Sequence, residues 1–103
     1  MLISKEIQET RNKILDFEKR IEEMHLEFQK YCLGLDQRMP DYEHLERELL
    51  FFSRRKIFDL ELSKQLDRVL YKFQNRKRIW VRWAEEFQQG VREKAQDTKS
   101  PQG

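Results

Sequence analysis

From Asp41 to Gln89 the chain contains neither glycine nor proline. The stretch is rich in Leu, Glu, Arg, Lys and Gln, residues that lose little on entering a helix. It therefore reads as one very long helix over 41–89, with Asp41 as N-cap, Glu43 in the first turn and Gly90 just past the end. At about 1.5 Å per residue such a helix is about 73 Å long. A rod of that length cannot fold on itself, so whatever precedes it must be its packing partner.

The preceding segment has the pattern of such a partner. Ser4 is a candidate N-cap with Glu6 in the first turn, and Gly34 stands where a left-handed C′ residue would end the helix. In between, Ile3, Ile7, Thr10, Ile14, Phe17, Ile21, Met24, Phe28, Tyr31 and Leu35 alternate steps of four and three, an a/d seam with one polar member. Leu15, Leu26 and Leu33 lie off that seam and widen the apolar face from a coiled-coil stripe towards a bundle. The spacing predicts a first helix over about 4–33 and a loop over 34–40. A link that short places the two helices antiparallel.

The second stripe begins with Tyr42, Leu45, Leu49 and Phe52 and is interrupted by Ser53-Arg54-Arg55-Lys56. It resumes as Phe58, Leu62, Leu66, Val69, Phe73, Trp80, Trp83, Phe87 and Val91, with Arg76 in one apolar place. Its mean spacing is about 3.7 residues against about 3.5 for the first, so the two cannot share one coiled-coil register throughout. The expected architecture is all-α: a long antiparallel helical hairpin forming a single domain over 1–96, with a disordered tail over 97–103. An antiparallel first helix of about 45 Å covers the second only to about Phe73. Trp80, Trp83 and Phe87 would then lie uncovered on the face that carries Phe73. Such a patch predicts a partner-binding surface at Phe73, Trp80, Trp83 and Phe87, and a homodimer with a four-helix arrangement. The alternative is a break near Asn75 and a three-helix bundle. The dimer is preferred, because no Gly, Pro or Asn-Gly marks a turn there.

Charge offers a second candidate surface. Arg68, Lys72, Arg76, Lys77, Arg78 and Arg82 fall in a stretch with no acidic residue, interleaved with aromatics. A helical ridge of this kind can follow a phosphate backbone, so nucleic acid is the alternative partner. Within it, Phe73-Gln74-Asn75-Arg76-Lys77 followed by Trp80 resembles the recognition helix of homeodomains. The resemblance covers about eight residues and implies Asn75 as the adenine-reading residue, with Gln74 beside it. Lys72 stands where that family has a tryptophan, and no helix–turn–helix break precedes it.

Other chemistries find little footing. His25 and His44, the two histidines, each follow an acid at the spacing used by di-iron bundles, but in the hairpin they sit at different levels. No metal or other cofactor is expected, and no phosphate loop, nucleophile elbow or paired CxxC is present. The expectation is a non-enzymatic assembly subunit, a scaffold or adaptor acting through helical faces. With 39% charged and 38% hydrophobic residues, a net charge of +2, one cysteine and an early charged start, it is expected in the cytoplasm, with no membrane span.

Overall fold

The computed structural model describes the backbone of residues 2–99 and the side chains of residues 5–90. The fold is all-α, with three helices: α1 (Leu2–Cys32), α2 (Tyr42–Ser53) and α3 (Leu60–Lys99). The single helix expected over 41–89 is thus two helices, and the break lies at 54–59 rather than near Asn75.

Local chemistry explains the break. The Ser53 hydroxyl donates to the Leu50 carbonyl at 2.7 Å, competing for an acceptor the helix would use. The Arg54 and Arg55 amides bond back to Phe51 and Phe52, tightening the last turn three residues at a time. Arg54, Arg55 and Lys56 place positive charge at the negative end of the α2 dipole, which favours stopping there. Asp59 then caps α3, its carboxylate accepting from the Leu62 amide at 3.0 Å. Arg54 sits at φ −77° and ψ −12°, and no non-glycine residue has positive φ. The turn therefore needs neither glycine nor proline, which is why searching for those residues misses it.

The other boundaries follow their sequence signals closely. Gly34 adopts φ +79°, Gly34 N–H bonds to Tyr31 and Leu35 N–H to Lys30, a complete Schellman end to α1. Asp41 caps α2 by accepting from the His44 amide at 3.1 Å. α1 begins at Leu2, ahead of the expected cap Ser4. α3 runs past Gly90 to Lys99, so the expected helix end there is also corrected. One glycine inside a long helix costs only about 1 kcal/mol, too little to stop it. The expected tail begins inside α3, and residues 100–103 lie outside the described residues.

Contacts fix the chain directions. Glu22 meets Lys72 and Arg76, His25 meets Trp80, and Tyr31 meets Phe87 and Gln88. Numbers rise together, so α1 and α3 run parallel. Phe17 meets Phe52, Arg20 meets Glu48, and Phe28 meets Tyr42, so α2 runs against both. The result is an up–down–up bundle measuring 74 × 19 × 16 Å.

The seam residues Ile14, Phe17, Ile21, Phe28 and Tyr31 of α1 are buried against Leu45, Leu49 and Phe52 of α2 and Leu62, Leu66, Val69, Phe73, Trp80 and Ala84 of α3. Trp80 is 0% exposed and lies where all three helices meet. Its ring stacks on Phe28 at 5.2 Å, Phe73 meets it edge-on at 5.8 Å, and Tyr42 stands at 6.5 Å. Among the described residues no buried side-chain nitrogen or oxygen lacks a partner. Trp80→Ala should cost about 3–5 kcal/mol, a large share of a small domain's stability. Urea unfolding followed by circular dichroism checks this; a loss under about 1 kcal/mol would remove Trp80 from the centre of the core.

Candidate functional site

The four residues expected to meet a partner are part of the chain's own core or packed against it. Phe73 and Trp80 are buried, while Trp83 and Phe87 are half-buried against His25 and Tyr31, with ring centroids at 5.1 and 5.0 Å. The uncovered tryptophan end therefore does not exist. Once α2 stops at Ser53, α3 reverses direction and α1 covers it beyond Phe73. The reason given for a homodimer through this face is withdrawn with it.

The six basic residues divide in two. Lys72 and Arg76 both reach Glu22, Lys72 also approaches Glu18, and Lys77 binds Glu46 of α2 at 2.8 Å. These contacts lower the Glu22 pKa, chiefly through the Lys72 hydrogen bond, and raise the Lys77 pKa through its bond to Glu46. All are partly exposed, so each contributes less than about 1 kcal/mol and only reinforces a register that the core sets. Arg68, Arg78 and Arg82 are exposed and form no ion pair within 4.0 Å among the described residues. With Lys64, Tyr71 and Gln74 they occupy the outer face of α3, opposite Leu66, Phe73 and Trp80. Of the homeodomain-like residues, Phe73 and Trp80 point into the core and Arg76 is held by Glu22; Gln74 is exposed and Asn75 half-buried.

The surface that sequence reasoning missed lies at the α2–α3 turn. α2 is twelve residues long and stops about level with Phe17, whereas α1 and α3 continue side by side beyond it. The third place in the bundle holds no helix there, only the turn, whose Ile57 packs against the core. What remains is a groove of about 930 Å³ with Ile7, Phe52, Ile57 and Leu62 among its lining. Phe58 stands at its lip 92% exposed; Phe51, in the last turn of α2, and Leu60, at the start of α3, are exposed at 70% and 68%. The stripe placed Phe58 in the core; its true position is N′, one residue ahead of the Asp59 cap. An apolar N′ residue normally packs on N4, but N4 here is Ser63, so Phe58 has no local partner. That cap logic was readable in the sequence. Glu6, Glu9 and Lys13 line the α1 side of the groove, and Arg55, Lys56 and Asp59 line the turn side.

One polar contact ties the core to pH. Trp80 Nε1–H donates to His25 Nδ1 at 3.0 Å, so the imidazole carries its proton on Nε2. Burial lowers the His25 pKa below its usual 6.5, and Arg76 adds to the effect while Glu22 opposes it. Cys32 is free and half-buried, its thiol pKa raised by burial and then by Glu86. Among the described residues no group of three or more His, Cys, Asp or Glu is placed to hold a metal, and no helix is long and apolar enough to cross a membrane.

Comparison with protein-family models, curated proteins and solved structures finds no match, so function is argued from the surfaces above.

A lowered histidine pKa contributes stability that is complete above the unfolded value and lost as pH falls towards the folded one. Thermal stability should therefore start to fall below pH 6.5, with His25 releasing its bond to Trp80. A second fall is expected below 4.5, where Glu22 and Glu48, whose pKa values are lowered by Lys72 and by Arg20, become protonated. His25→Asn keeps an acceptor and does not titrate, so it should abolish the first fall and keep the second. Melting curves between about pH 4 and pH 8 decide this; an unchanged first fall in the variant would assign it to another group.

Proposed function

We propose that the chain is a non-enzymatic assembly subunit, a scaffold or adaptor that recognises another protein through the turn end of its bundle. The observation that carries this is Phe58, 92% exposed at the lip of a mainly apolar groove. Scattered apolar residues are ordinary on a protein surface, but a bared aromatic ring at the lip of a hollow of this size is a usual mark of a contact site. Aromatic anchors entering pockets supply most of the energy at protein interfaces. The unpaired Cys32 suits a reducing compartment such as the cytoplasm. A photo-crosslinking side chain at Phe58 should yield discrete protein adducts in cells, and one at exposed Gln29 on α1 should not. Equal labelling from both positions, or none from Phe58, would remove this reading.

A second reading has its own support. Lys64, Arg68, Arg78 and Arg82 form an unpaired basic stripe about 27 Å long on the outer face of α3, beside exposed Tyr71. A nucleic-acid backbone would meet this face rather than Lys72, Arg76 or Lys77, which are engaged within the bundle. On this reading duplex affinity falls with salt at a log–log slope of about −3.6, about 0.9 for each of four phosphates neutralised. Replacing Arg68, Arg78 and Arg82 together by Glu should abolish binding while leaving helicity unchanged. Absence of any gel shift at about 50 mM salt excludes the reading.

A further inference from the structure

The groove at the α2–α3 turn has two walls of opposite sign, and that arrangement identifies an occupant. Glu6 and Glu9 outnumber Lys13 on the α1 wall, and Arg55 and Lys56 outnumber Asp59 on the turn wall, so the walls differ in net sign. No ion pair within 4.0 Å joins the two walls among the described residues, and the Arg55 guanidinium instead lies over the Phe52 ring at 5.4 Å. Asp59 is committed to capping α3. Each chain thus carries an apolar hollow, an uncovered Phe58 beside it, an acidic edge and a basic edge. A surface that holds both halves of a complementary pair is suited to meet itself about a two-fold axis.

We infer that the groove is occupied by the same turn of a second copy of this chain, which deepens the assembly reading above and rests on it. Charge selects the geometry. A two-fold axis running along the groove sets each acidic wall against the partner's basic wall, and the two α1 helices then point the same way. An axis across the groove would instead oppose acid with acid and base with base, which costs energy at close range. In the favoured arrangement the partner's Phe58 enters the hollow above Ile7 and Leu62, and Phe51 and Leu60 are covered at its margin. This contact uses none of Phe73, Trp80, Trp83 or Phe87.

Sedimentation of the full chain at about 0.1 mM, high enough to populate even a modest contact, should give twice the 12.8 kDa chain mass. Phe58→Asp should restore the single-chain mass with helicity unchanged, since the ring is almost wholly exposed. The paired replacement Glu6→Lys with Glu9→Lys makes both walls basic, and Arg55→Glu with Lys56→Glu makes both acidic; each protein alone should be monomeric. Mixed in equal amounts they should form a heterodimer, because every wall again faces its opposite. That rescue cannot come from misfolded variants. A monomeric wild type, a dimer that survives Phe58→Asp, or no association in the mixture would overturn the inference. If the wild type is monomeric and Phe58 still crosslinks discretely to other proteins, the second copy is excluded and the assembly reading stands; if it crosslinks to none, both fall.

Discussion

The bundle depends on satisfying one indole. A tryptophan carries a large apolar surface and a single N–H, and burying it profits the fold only where an acceptor waits inside. His25 supplies that acceptor from α1, in its neutral form and with the proton on the far nitrogen. The bond fixes α3 lengthwise on α1, and Phe28, Tyr42 and Phe73 close around the ring from all three helices. Every other contact between α1 and α3 is compatible with that register: Glu22 below it with Lys72 and Arg76, Tyr31 above it with Phe87 and Gln88. Ion pairs this exposed are individually weak and could not set the alignment without the buried aromatic contact.

Much of this was legible from residue order, because the physics involved is local. The α1 seam predicts Ile14, Phe17, Ile21, Phe28 and Tyr31 as core, and all five are buried. Gly34, free of a Cβ, takes the left-handed C′ position, and the Asp41 carboxylate caps α2, as expected. The reversal at 54–59 escaped because it uses an αR residue at Arg54, a serine back-bond and an aspartate cap, none of which demands glycine or proline. Missing it turned a three-helix bundle into a two-helix hairpin and left Trp80 uncovered. A single local reversal therefore decided whether the same tryptophan read as interface or as core.

The basic stretch shows a different limit. Along α3, Lys72 and Arg76 flank the buried stripe on one side and Lys77 on the other, while Arg68, Arg78 and Arg82 point away from it. Helical spacing alone separates these groups once the core direction is known. It does not reveal that α1 offers Glu18 and Glu22, and α2 Glu46, at the matching heights. Those acids are remote in sequence, so six apparent ligands for a polyanion became three register contacts and three outward-facing cations. The same holds for Phe58, whose place in the stripe was correct by period and wrong by position once Asp59 became a cap.

The length of α2 links fold to function. Twelve residues suffice to bury Leu45, Leu49 and Phe52 and to complete the cage around Trp80, yet they leave α1 and α3 as a bare pair near the turn. Two more helical turns would have filled that place with the chain's own side chains. Instead the turn crosses it, carrying three consecutive cations and an uncovered phenylalanine past a wall that holds two glutamates and a lysine. Leaving Phe51, Phe58 and Leu60 in water forgoes burial free energy of about 1.5–3 kcal/mol for each of the larger side chains. A core that leaves no buried polar atom unpaired among the described residues does not suggest a loosely made protein. The bundle's own packing thus leaves these three apolar side chains exposed.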